Sequence, residues 1–238
     1  MRKAIIAGAT SGIGKELAKI LAENNYMVGI TGRRNELLAE LKIEQPERFI
    51  TKNFDITNLE TTIVKLKELT EELGGLDLLV ISSGTGDLND TLNFETEKRT
   101  IDTNVMGFTN IVDWAFNYFK NQNSGHLVAI TSIGGLRGGR QAPSYNASKA
   151  YQQNYFEGIR QKVKKLNLPI TITDIRPGLV NTEMAKGEGL FWVMPVKKAA
   201  NQISNAIKKK KKIAYITKRW ALVALFMKLV PGFIYDRM

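Results

Sequence analysis

Tyr145 and Lys149, in the stretch Ser-Tyr-Asn-Ala-Ser-Lys-Ala from Ser144 to Ala150, stand four residues apart. On a helix that spacing puts both side chains on one face, about 5–6 Å apart at Cβ, so a phenol and an ammonium share one environment. A free phenol, with a pKa of ~10, is a poor base at neutral pH. A fixed positive charge beside it favours the ionised form and lowers that pKa by roughly one to three. Lys149 is therefore expected to hold the Tyr145 pKa down, and the pair can trade protons with a substrate. Spacing alone is weak support, because Tyr215 and Arg219 repeat it in a chain with seven tyrosines and 34 basic residues. No cysteine is present and His126 is the single histidine, which excludes disulfides, thiolate chemistry and a zinc-like nitrogen and sulfur site. Catalysis must use other groups. His126, following Ser124-Gly125, is expected as an exposed strand-entry residue without a catalytic role.

A chain of 238 residues can bury a full core. Seven short apolar runs, KAIIAG, YMVGIT, RFITKNF, LDLLVIS, HLVAITS, PITITDI and KIAYIT, alternate with longer helical patterns. Alternation of this kind predicts an α/β fold: one doubly wound domain with a parallel sheet of about seven strands and helices on both faces. No Pro/Gly/Ser-rich linker divides it, so the domain is expected over residues 1–217, with an apolar and basic extension over 218–238. In such sheets ligands sit at the carboxyl ends of the strands, where the strand order reverses.

Two of those ends carry recognisable chemistry. After the first strand Gly8, Gly12 and Gly14 open a helix, a spacing that lets the backbone turn tightly and meet a pyrophosphate with free helix N–H groups. At the end of the second strand Gly32 is followed by Arg33 and Arg34. A fold that prefers NAD usually has a carboxylate there for the ribose 2′-hydroxyl, whereas arginine suits a 2′-phosphate. NADP(H) is therefore expected in preference to NAD(H).

Together these motifs resemble the classical short-chain dehydrogenase/reductases, over residues 3 to about 217. The matching stretches are GATSGIG, FDIT, NVMG, ITS, SYNASK and RPGLVNT, in that order. The resemblance implies a Rossmann-like catalytic domain that interconverts a carbonyl and an alcohol. It implies Tyr145 as general acid in the reducing direction, with Lys149 holding the nicotinamide ribose. Ser132, 13 residues before Tyr145, would bond the developing oxyanion, and Asn104, on the long fourth helix, would hold a water that resupplies protons through Lys149. For the cofactor it implies Gly8, Ser11, Gly12, Ile13 and Gly14 at the glycine loop and Arg33 and Arg34 at the second strand. Asp55 and Ile56 would flank the adenine, and Ser83 and Gly84 would follow the fourth strand. Asn104, Tyr145 and Lys149 complete the cofactor set with Pro177, Gly178, Val180 and Thr182 on the nicotinamide side. One departure is visible: Ile81-Ser82-Ser83-Gly84 stands where the family usually has Asn-Asn-Ala-Gly. A cofactor-binding regulator or scaffold on the same fold is the competing reading, against which the intact Ser132, Tyr145, Lys149 and Asn104 set speaks.

Between Thr182 and Pro195, Phe191, Trp192 and Met194 suit an apolar lid over an apolar or lipid-like carbonyl substrate, and plain core packing equally. The net charge of +11 is concentrated: the 31 residues from Lys208 onward hold nine basic residues and one acid. A nucleic-acid partner is not expected, since the basic residues form one lysine run without interleaved stacking aromatics. Trp220 to Val230 is apolar except for Lys228, too short for the ~20 residues that span a bilayer, and Pro231-Gly232 ends it. Such a stretch needs a cover. Two covers suit it: protein, in a homo-oligomer (dimer or tetramer) or against its own domain, or peripheral membrane contact through 208–238 beside the lysine run. The first residues, with only Ala4 to Ala7 as an apolar run before Gly8, predict a cytoplasmic chain, membrane-associated if the tail docks.

Overall fold

A computed structural model describes residues 1–185 and 191–237. The seven expected strands all form: β1 (Arg2–Ala7), β2 (Tyr26–Gly32), β3 (Phe49–Asn53), β4 (Leu78–Ile81), β5 (Gly125–Ile130), β6 (Ile170–Pro177) and β7 (Ile213–Ile216). They make one sheet in the order β3-β2-β1-β4-β5-β6-β7, every pair parallel. Parallel strands need crossovers, and these are helices on both faces. The alternation along each strand sorts its residues between the two layers. Ala4, Ile6, Val28, Ile30, Val80 and Val128 pack with α1 (Gly12–Glu23), α2 (Asn35–Glu44) and α7 (Val196–Lys208). Ile5, Ala7, Leu79, Ile81, Leu127 and Ala129 pack with α3 (Leu59–Leu73), α5 (Phe108–Asn121) and α6 (Pro143–Lys165).

Local chemistry sets the helix ends. Asn58 caps α3 by accepting the Thr61 N–H, and Gly74, at φ +67°, ends it in the left-handed conformation. Pro143 occupies the first turn of α6, where its missing N–H takes no intrahelical bond away. The helix expected to hold Asn104 is not continuous. Between α4 (Phe94–Ile101) and α5 it widens into a π-helical stretch, Asp102–Gly107, of the kind that recurs at functional sites.

His126 departs from expectation. It is buried, hydrogen-bonded to Thr173 Oγ1 at 2.8 Å, and burial with Lys210 nearby lowers its pKa to about 4. The reason is the sheet: β5 is central, so its first residues are covered by β4 and β6 on either side.

The tail continues the chain from the carboxyl end of β7. Helix α8 (Lys218–Leu229) and the single turn α9 (Gly232–Tyr235) fold back over the carboxyl edge of the sheet, where Arg137 donates to the carbonyls of Met227 and Val230. The lysine run, Lys208 to Lys212, lies at the opposite, amino end of β7 and is not beside this helix. Among the described residues no helix is long and apolar enough to cross a membrane.

Candidate active site

The strand order reverses between β1 and β4, and there a cleft of about 890 Å³ opens across the carboxyl ends of the sheet. Gly8, Ser11, Gly12 and Ile13 form its first wall. Gly8 is at φ +90°, and a Cβ there would lie 2.5 Å from Ser83 N; one on Gly14 would lie 1.9 Å from Gly8 O. Glycine at these two points lets α1 start directly against β1 and the β4 loop. Gly14 thus stands behind the wall instead of lining it. The departure at Ser82-Ser83 does not part the strands, because both N–H groups donate to Ala7 O, at 2.8 and 2.7 Å.

The second wall is basic. Arg34 reaches across the glycine loop to Thr10 Oγ1 (3.0 Å) and Ser11 Oγ (2.7 Å), and Arg33 faces Asp55 at 3.5 Å. Ser11 Oγ thereby accepts from arginine and makes no side-chain cap on α1, whose first turn holds no acid. A Cβ on Gly32 would lie 2.5 Å from Thr10 Cγ2, so the end of β2 packs directly on the glycine loop. Ile56 lines the cleft beside Asp55 and is packed on by the π-helical stretch, where a Cβ on Gly107 would lie 2.8 Å from Ile56 O.

The floor holds the expected chemical groups together. Ser132 Oγ accepts the Gly134 N–H at 3.0 Å, and its hydroxyl bonds the Tyr145 phenol. Lys149 is buried; its Nζ donates to Ile130 O (3.2 Å) and Gln152 Oε1 (3.1 Å) and lies 5.8 Å from the centre of the Tyr145 ring. The expected depression of the phenol's pKa is not what the site produces. Burial raises it, with the Ser132 bond pulling the other way, and burial also lowers Lys149 to about 8, opposed by Asp174. For both groups desolvation is the larger influence, since burial removes the hydration that favours phenolate and ammonium alike. Tyr145 keeps some exposure along the cleft, while its oxygen lies deep among neighbours.

Asn104 is fully buried behind the floor and does not line the cleft. Its side chain bonds Thr85 N and O and Ser148 Oγ, and its backbone carbonyl accepts Gln152 Nε2 at 2.8 Å. The Gln152 amide links this carbonyl to Lys149, whose Nζ it accepts from. Gly84 allows this packing: a Cβ there would lie 3.3 Å from Asn104 Oδ1 and 3.4 Å from Lys149 Nζ. Ser83 lines the cleft with its hydroxyl buried and unpartnered among the described residues.

The third wall follows β6. Pro177, Gly178, Val180 and Thr182 line it, with Thr182 covering Gly12. Above them the anticipated lid divides. Phe191 lines the cleft and stacks on Trp220 at 5.2 Å, Trp192 is half exposed, and Met194 is core, bridged to Val180. The expected lid's residues 186–190 lie outside the described residues.

Several contributors were missed in the sequence. Gln152 has a readable signal, since it lies three residues past Lys149 on the same helix face. Gly86, whose Cβ would lie 2.4 Å from the Tyr145 ring, and Trp220, whose ring covers Gly178, have none, because both meet the site from remote chain positions.

The chain matches the family model described as short chain dehydrogenase over residues 2–190, and it belongs to that family of nicotinamide-dependent oxidoreductases. An "uncharacterized oxidoreductase" of Myxococcus xanthus (strain DK1622) is 32% identical over 188 residues, spanning 77% of this chain and 74% of the relative. A Mycobacterium tuberculosis protein with the same description is 31% identical over 192 residues, 77% and 75% of the two chains. Among solved structures, a short-chain dehydrogenase from Streptomyces avermitilis superposes with a TM-score of 0.82 at 22% identity, over 95% of this chain and 91% of its own. ElxO with NADP bound gives 0.78 at 22% identity, over 90% and 96%.

Proposed function

We propose that this protein is an NADPH-dependent carbonyl reductase acting on an apolar ketone or aldehyde. The observation that carries the reading is the grouping of the Tyr145 phenol and Ser132 at the floor of the cleft in front of buried Lys149. The residues present fit a nicotinamide dinucleotide. The uncapped α1 terminus and the orphaned Ser83 hydroxyl suit its polar middle, and Arg33 and Arg34 suit a 2′-phosphate. ElxO, of the same fold, binds NADP. When bound, such a cofactor supplies the hydride that side chains cannot.

The chain's own groups supply the rest. Tyr145, a phenol whose ordinary pKa of about 10 already keeps its proton at neutral pH and whose burial raises that pKa further, gives the proton to the carbonyl oxygen. Ser132 donates to that oxygen as negative charge develops on it. Lys149 stands ready to return a proton to Tyr145. Gln152, tied to Asn104, fixes the ammonium, since an amide orients a neighbour but does not readily pass a proton. Leu88, Met184, Phe191, Val223 and Met227 line the outer cleft and favour an apolar substrate. A panel of apolar ketones and aldehydes with NADPH tests the reading; inactivity across it would shift weight to a cofactor-binding scaffold.

Two expected results follow from the walls and floor. Replacing both Arg33 and Arg34 with alanine should raise the KM for NADPH about 10- to 100-fold, the worth of charge-assisted bonds to one phosphate, and leave NADH almost unaffected. A wild-type preference for NADH would overturn this. The pH profile of reduction should be level through neutrality and fall above about 8 as Lys149 loses its charge, with oxidation rising as pH climbs toward the raised Tyr145 pKa. His126, near 4, contributes no neutral limb. A reductase rate that increased through pH 8 would contradict these assignments.

A further inference from the structure

Helix α8 is apolar on both sides, and the two sides have different surroundings. Trp220, Val223 and Met227, at helical spacing, line the cleft. Half a turn away Leu222, Leu225, Phe226 and Leu229 are 71%, 56%, 59% and 72% exposed, and Phe233 of α9 extends the surface at 69%. This surface is not a fraying end. Arg137 holds the last carbonyls of α8 and lies 4.2 Å over the Tyr235 ring, and the Tyr235 hydroxyl donates to Gly138 O at 2.7 Å. A contiguous apolar face held this firmly marks an interaction site.

Charge selects its occupant. By helical periodicity Arg219 and Lys228 fall on opposite flanks of the exposed face, both are exposed, and exposed Arg237 follows α9. Asp236 is the single acid between Lys218 and Arg237. A second copy would bring like charge against like, whereas an anionic lipid surface accepts both the apolar face and its cationic flanks. The lysine run at the far end of β7 takes no part.

We propose that the outer face of α8, with Phe233, docks on an anionic lipid bilayer, α8 lying in the interface without crossing it. The inner face of the same helix is a wall of the cleft, so docking sets the cleft mouth against the acyl region. On the reductase reading above, its substrate is then a carbonyl compound dissolved in the bilayer.

Flotation of the full chain with phosphatidylcholine vesicles, with and without phosphatidylglycerol, tests this. The wild type should float with the anionic vesicles, and L225E/F226E should reduce the bound fraction at least about tenfold. Both substituted side chains are exposed, so the variant should keep its melting temperature and NADPH affinity. R219E/K228E should weaken binding to the anionic vesicles alone, as should added salt. Failure of the wild type to float, equal flotation of L225E/F226E, or a wild-type oligomer that this variant dissociates would each overturn the proposal. Reduction of a water-soluble aldehyde separates the two ideas: it fails with the reductase reading alone, and flotation fails with the docking alone.

Discussion

Tyr145→Phe is expected to reduce carbonyl turnover about a thousandfold while NADPH still binds. On the reductase reading the phenol delivers the proton to the carbonyl oxygen, and a positioned general acid contributes roughly 10²–10⁴ to rate. Phenylalanine preserves the ring that packs against Gly86 and removes only the hydroxyl bonded to Ser132. Lys149 keeps its bonds to Ile130 and Gln152, so the floor should not collapse. Steady-state kinetics with NADPH titration by fluorescence separates the effects: kcat should drop with cofactor affinity changed less than about threefold. Near-wild-type turnover would remove Tyr145 from the mechanism. A parallel loss of NADPH binding would make it a cofactor residue first.

Gly14→Ala should have the largest effect on the cofactor site, and for a backbone reason. The added Cβ would lie 1.9 Å from Gly8 O, a carbonyl fixed in the turn that leads out of β1, so no side-chain rotation relieves the contact. Helix α1 must move off the sheet, and Leu17, Ala18 and Leu21 on its buried face move with it. Overpacking of this kind destabilises by about 3 kcal/mol, which for a chain of this size lowers Tm by about 6–12 °C. The α1 terminus and Ser11 would be displaced from Arg34, and NADPH affinity should fall at least about 100-fold. Thermal denaturation with and without NADPH checks both, because the variant should lose the stabilisation by ligand as well as stability itself. An unchanged Tm would mean that the first turn of α1 is softer than its packing implies.

Much of this is legible in the sequence because it depends on local order. The apolar runs become strands since a buried parallel strand needs apolar residues on both faces, and β1 through β7 appear where those runs stand. The glycine loop is readable for a similar reason: a turn at φ +90° admits few residues besides glycine. Tyr145, Lys149 and Gln152 share a face by the period of the helix. Ser132 and Asn104 carry no such local signature and are readable only through the family resemblance.

The balance between burial and charge was decided elsewhere. Adjacency predicted a phenol made more acidic by Lys149; the packed floor desolvates both groups and reverses the direction for Tyr145. The sequence neighbours of His126 suit a surface position, yet it is buried because β4 and β6 flank β5. The tail shows the same division. Its composition alone required a cover for an apolar helix, but which side is covered depends on where β7 releases the chain and on what Arg137 and Gly178 offer there. Element types, the reactive groups and the arginine pair after β2 follow from spacing and residue type alone. The direction in which the Tyr145 pKa moves, the bridge through Gln152 and the exposed face of α8 come from tertiary packing, because dielectric, hydrogen-bond partners and burial are set by residues distant in the chain.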